Sequence, residues 1–111
     1  MVRVEEYPER VQNFIEQYAA QKRASDNIET QVIFDTQHHH YQLVNVGWIE
    51  NKRVYGCVLH IDVKGDKVWI QHNGTELPVA EELVASGIPE KAIVLGFHAP
   101  YKRPFTKFAV N

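Results

Sequence analysis

Residues 28–73 carry four runs of β-branched and aromatic residues with period-two alternation, separated by joints only a few residues long. In residues 28–36, Ile28, Thr30, Val32 and Phe34 alternate with Glu29, Gln31, Ile33 and Asp35. In residues 40–49, Tyr41, Leu43 and Asn45 alternate with Gln42, Val44, Val46 and Trp48. Residues 53–63 are expected to place Val54, Val58 and His60 on one face, and Tyr55, Cys57, Leu59, Ile61 and Val63 on the other. Residues 67–72 contribute Val68 and Ile70. Such alternation marks strands with two unlike faces. The joints Glu50-Asn51-Lys52 and Lys64-Gly65-Asp66 are hairpin-sized, and short joints force neighbouring strands to run antiparallel. Gln37-His38-His39 would close the first hairpin, although histidine is not a turn former. The expectation is an antiparallel meander.

The flanks supply the rest of the fold. Val4, Tyr7, Val11, Phe14, Ile15, Tyr18 and Ala19 recur at spacings of three and four, which places them on one helical face. Pro8 fits only a first helical turn. The predicted helix therefore begins near Tyr7 and ends near residues 22–24, with Ser25-Asp26-Asn27 as a loop. After Asn73-Gly74, a short helix is predicted from Pro78 with Val79, Leu83 and Val84 inward, Glu81 and Glu82 exposed, and Gly87 as its C-cap. Ile88-Pro89-Glu90-Lys91-Ala92 reads as a turn. Residues 93–97 form a fifth, buried strand, and residues 98–111 an extended tail anchored by Phe105, Phe108 and Val110. The class is α+β in two layers: N-terminal helix, four-stranded antiparallel meander, short helix, further strand, C-terminal tail. A length of 111 residues suits a single domain, 1–111.

Charge excludes one function class. Twelve basic and 14 acidic residues give a net charge of −2, which is not the footprint of a protein that grips nucleic acid through phosphates. The tail is a local exception, with Lys102, Arg103 and Lys107 and no acid after Phe97. One cysteine, Cys57, allows no intrachain disulfide and suits a reducing compartment. No run has signal-peptide or membrane-spanning character. The chain is expected to be soluble, cytoplasmic and off the membrane.

Three places invite chemistry. His38-His39-His40, with Asp35, His60 and Asp62 as further candidates, has the residue types of a zinc site. Adjacent strand residues point to opposite faces, so at most His38 and His40 share a direction. The run is read as a polar hairpin tip, and no metal ligand is assigned. His60-Ile61-Asp62 puts an imidazole and a carboxylate on one face, a pairing that fits acid–base work or a half-polar sheet face equally. No serine or cysteine has an evident base beside it, and Cys57 is expected to be a buried packing residue. No catalytic or cofactor-binding residue is assigned. Asn73-Gly74-Thr75 reads as a turn. In the tail, Tyr101, Lys102, Arg103 and Phe105 mix aromatic and basic character. That mixture can bind a protein partner or a nucleic acid, or it can be core aromatics with solvated charges. These four are the candidate partner-binding residues.

With strands and tail laid out, the sequence resembles the XisI family, the cyanobacterial fdxN element excision controlling factor. The resemblance is carried by residues 26–36, by Tyr41-Gln42-Leu43-Val44-Asn45-Val46-Gly47-Trp48, by residues 53–62 and 68–76, and by Val94-Leu95-Gly96-Phe97-His98-Ala99-Pro100-Tyr101-Lys102-Arg103 with Phe108-Ala109-Val110. His38-His39 is the least family-like part. The resemblance implies a two-layer XisI-like fold. It implies a non-enzymatic role in the excision of a DNA element during heterocyst development, beside a site-specific recombinase and with a partner called XisH. It implies no cofactor and transfers no catalytic residue. Contact with nucleic acid would be indirect at most. Alternatives from the residues are a metal-dependent enzyme using His60, Asp62 and any of His38–His40 or His98, and a DNA-binding accessory protein using the tail. An open meander also leaves edges that favour a homo-oligomer.

Overall fold

The structure is a computed structural model that describes residues 2–21 and 27–111. The predicted loop over residues 25–26 and the predicted helix end at residues 22–24 lie outside the described residues. After a short 3-10 turn at Val4–Glu6, α1 spans Tyr7–Gln21. The strands are β1 (Ile28–Asp35), β2 (His40–Ile49), β3 (Lys52–Lys64) and β4 (Lys67–Asn73). Helix α2 (Val79–Ala85) and a 3-10 turn at Glu90–Ala92 lead to β5 (Ile93–Leu95). The strands form one sheet in the order β1-β2-β3-β4-β5. The first four pair antiparallel, and β5 runs parallel to β4. The parallel pairing needs a crossover, and α2 provides it.

Both helices bury their apolar stripes in one core. Tyr7, Val11 and Ile15 of α1 and Val79, Ala80 and Leu83 of α2 meet Tyr41, Leu43, Leu59, Ile61, Val63, Val68, Ile70, Ile93 and Leu95 from the sheet. Phe14, Tyr18 and Ala19 pack at its margin. Val4, expected on the same stripe, is exposed because it precedes α1 in the 3-10 turn. Gly87 closes α2 as expected: its φ is 114°, its N–H donates to Val84 O and that of Ile88 donates to Leu83 O. These two bonds occupy carbonyls that the helix end would otherwise leave open.

Irregularities in pairing correct the predicted face assignment of β3. Leu59 faces Leu43, but Val44 faces Cys57, so Val58 is an extra residue. A bulge of this kind inverts the alternation beyond it. Leu59, Ile61 and Val63 therefore face the core as expected, whereas Tyr55 and Cys57 lie exposed rather than with them. A second bulge in β4 leaves Gln71 as the extra residue between Ile70 and His72.

The tail departs from an extended conformation. Pro100–Phe105 forms a 3-10 helix with Pro100 at its first turn. The chain then returns along β5, where the Ala109 N–H donates to Ile93 O at 2.8 Å and Ala109 bridges Val94. Phe108 is buried, as expected of an anchor, but Phe105 and Val110 are exposed. The tail thus covers the outer edge of β5. Among the described residues no segment pairs with the outer edge of β1.

Candidate functional site

Helices α1 and α2 pack against one face of the sheet, so neither covers the other face. On that open face, towards the β1–β2 hairpin, His60 and Asp62 stand two positions apart on β3, and the strand register sets His40 opposite Asp62 and Gln42 opposite His60. Asp62 is the one buried charged side chain among the described residues, at 5% exposure. Its Oδ1 accepts from His40 Nδ1 at 2.9 Å and from His60 Nε2 at 2.8 Å. Gln71, the extra residue of the β4 bulge, donates from Nε2 to Asp62 Oδ2 at 3.3 Å. Gln42 Nε2 lies 3.4 Å from His60 Nδ1. Burial alone would raise the carboxyl pKa of Asp62, but the bonds from His40, His60 and Gln71 and the charge of His60 outweigh it and hold it below its ordinary value. The cluster opens into a shallow depression of about 400 Å³ whose rim includes Ile33, Phe34 and Asp35.

Only one of the three consecutive histidines joins this cluster. Asp35 builds the hairpin turn: its Oδ1 accepts the N–H groups of Gln37 and His38, both at 3.0 Å, and its Oδ2 lies 2.9 Å from His38 Nδ1. Those bonds lower its own pKa, the His38 backbone bond most. His39 takes a left-handed conformation, φ 61°, and its Nδ1 meets the Tyr41 hydroxyl at 2.8 Å. Asp35 therefore supplies the turn chemistry that the histidines lack. His98 stacks against Phe97, with ring centroids 4.7 Å apart, and takes no part in the cluster. Gln42 and Gln71 went unassigned in the sequence. Alternation puts Gln71 on the face away from Val68 and Ile70 and Gln42 away from Tyr41 and Leu43, but that they meet Asp62 and His60 depends on the register between strands.

The cluster can hold and orient an imidazole, but among the described residues that line the depression none is a serine, threonine or cysteine. The Cys57 Sγ donates to Leu59 O at 3.1 Å. Desolvation raises the pKa of the thiol despite that bond, so it stays protonated and unreactive at neutral pH.

The second feature is the tail. Tyr101 and Phe105 are 71% and 88% exposed, and Lys102 lies beside the Tyr101 ring, 5.9 Å from its centroid. Arg103 behaves differently from its neighbours. Its guanidinium sits 5.2 Å from the Trp69 ring centroid. It donates to His98 O at 3.1 Å and to Val110 O at 3.3 Å. Lys107 pairs with Glu81 at 2.9 Å and Glu90 at 3.0 Å. Arg103 is thus a pin that fastens the tail through carbonyls and a ring, and Lys107 is neutralised by two carboxylates. Arg103→Ala is expected to cost about 1–2 kcal/mol, from one cation–π contact and its hydrogen bonds. Faster amide exchange at Ala109, with the meander unchanged, would report the loosened tail; unchanged exchange there would refute the pin.

A family model described as XisI protein matches residues 1–110. No curated protein matches the chain. Among solved structures, a XisI-like protein from Anabaena variabilis is 43% identical, with 98% of this chain and 100% of that one covered and a TM-score of 0.93. The fdxN element excision controlling factor XisI from the same organism is 32% identical, with 97% and 98% covered and a TM-score of 0.84. Family match, identity and shared architecture agree over nearly the whole length: the chain belongs to the XisI family.

Proposed function

We propose that the protein is a non-catalytic controlling factor in the excision of a DNA element, and that it acts by binding an XisH-like partner protein through the segment Pro100–Phe105. The role follows that of its relative from Anabaena variabilis, the fdxN element excision controlling factor XisI. One observation carries the mechanism: Tyr101 and Phe105 are presented almost fully to solvent on a short helical segment that Arg103 fastens to Trp69 and to two carbonyls. Large aromatic side chains held on a fixed backbone bind with little loss of conformational freedom, and they dominate protein interfaces. Arg103 has a structural part in this arrangement, so the docking group is Tyr101, Lys102 and Phe105. The scaffold would let the partner reach a recombinase without this chain gripping DNA.

The test is calorimetric titration of an XisH-like protein into the double variant Tyr101→Ala, Phe105→Ala. Each exposed aromatic at the centre of an interface is worth about 1–2 kcal/mol, so affinity is expected to fall at least roughly tenfold. The melting temperature should stay within about 2 °C of the parent, since neither side chain is buried. Unchanged affinity would reject this surface.

A further inference from the structure

We propose that His40, His60 and Asp62 form a binding site for one divalent first-row transition-metal ion, with zinc as the reference ion, on the open face of the sheet. The inference stands apart from the partner reading; of the residues that the sequence offered for a metal, it keeps His40, His60 and Asp62 and leaves out His38, His39 and His98. Its basis is convergence. One donor atom from each of the three side chains lies within 4.8 Å of the other two. They come from adjacent strands in fixed register, so the sheet and not a loop sets their spacing.

The donor set selects the class of ion. Two imidazole nitrogens and one carboxylate oxygen suit zinc, cobalt or nickel, whereas calcium and magnesium require oxygen ligands throughout. Donors around a tetrahedral ion at bond lengths of about 2.0–2.1 Å stand about 3.3 Å apart. The two nitrogens now lie 2.9 and 2.8 Å from Asp62 Oδ1. A metal would replace those two hydrogen bonds after the groups part by about half an ångström, and His40, half exposed near the hairpin tip, has room to move.

The surrounding side chains support ligation. In metal sites the ligand groups are held by outer partners that fix their direction. Gln71 holds Asp62 by Oδ2 and leaves Oδ1 turned to the histidines. Gln42 meets His60 at Nδ1, the nitrogen that must carry the proton when Nε2 binds metal. An amide turned about its terminal bond presents oxygen in place of nitrogen, so Gln42 can accept a hydrogen bond from that N–H. Three protein ligands leave at least one coordination position, which faces the depression beside Ile33 and Asp35. That pattern fits a site that takes a water or an outside ligand, since closed structural zinc sites use four protein ligands.

The experiment uses protein without a tag, stripped with chelator and dialysed. Zinc chloride is titrated by calorimetry, and cobalt(II) chloride by the visible absorption of tetrahedral cobalt. One equivalent per chain is expected, with Kd of about 10 µM or tighter. His40→Ala and His60→Ala should each raise Kd at least roughly tenfold, and Gln42→Ala, a positioning change, by about the same factor. His38→Ala and His39→Ala should leave Kd within about twofold, because neither residue belongs to the convergent group and their Nδ1 atoms meet Asp35 and Tyr41. Melting each variant in chelator checks that it is folded, and His60→Gln replaces any that is not. No stoichiometric binding at about 100 µM zinc would overturn the site. So would binding that is lost with His38 and His39 while His40 and His60 prove dispensable.

Discussion

Asp62→Asn is expected to destabilise the chelator-treated protein by roughly 1–3 kcal/mol at neutral pH, a fall in melting temperature of about 5 °C per kcal/mol. The carboxylate is buried, and it accepts from His40, His60 and Gln71. The amide variant turns an N–H₂ group toward at least one of those donors, so it loses charge-assisted bonds and opposes donor to donor. The pH dependence has a definite sign. Asp62 titrates below its ordinary value when folded, so the unfolded chain binds its proton more readily. The contribution is therefore complete above about pH 4 and is lost as pH falls through the depressed folded pKa. Urea unfolding of parent and variant from pH 7 down to pH 2 would check this. The two curves should differ most at neutral pH and converge in acid. A constant gap across that range would show that the carboxylate charge is not what stabilises the cluster.

Gly47→Ala is expected to cost about as much, roughly 1–3 kcal/mol, by a different route. Gly47 on β2 pairs with Ile28 at the start of β1. A Cβ there would stand 2.6 Å from Ile28 Cα and would run into the carbonyl oxygen of Asn27. That carbonyl accepts the Trp48 N–H at 2.8 Å. These neighbours are backbone and cannot rotate aside, so the first pairs of the β1–β2 ladder must separate. Amide exchange should rise at Trp48 and along the start of β1 while β3 and β4 stay protected. Gly56→Ala is the matched control, since a Cβ there meets nothing within 4 Å. Equal losses for the two variants would mean that a general glycine effect, and not this contact, is responsible.

How much of this was legible in the sequence depends on whether local rules sufficed. The meander was legible because alternation and short joints are local properties. So was the capped end of α2 at Gly87. The first hairpin joint was expected at Gln37-His38-His39 without a turn former to close it, and the structure shows that Asp35, at the end of β1, makes its bonds. Burial of Cys57 and Tyr55 was misjudged because a single extra residue, Val58, reverses the strand's faces. Phe105 was taken for an anchor because it is apolar, yet the 3-10 turn from Pro100 points it outward. Arg103 read as a docking charge, and only its contact with Trp69 reveals the pin.

The open face shows the same division. Sequence alone placed His60 and Asp62 on one side of one strand, because two positions along a strand is a fixed geometric relation. It also carried the family resemblance, through blocks spread along the whole chain. Which histidine of residues 38–40 would join Asp62, and whether Gln71 would reach it, belonged to the tertiary structure. Both depend on register between strands and on bulges, and these are settled by how the entire apolar face packs against α1 and α2, not by the residues that end up in contact.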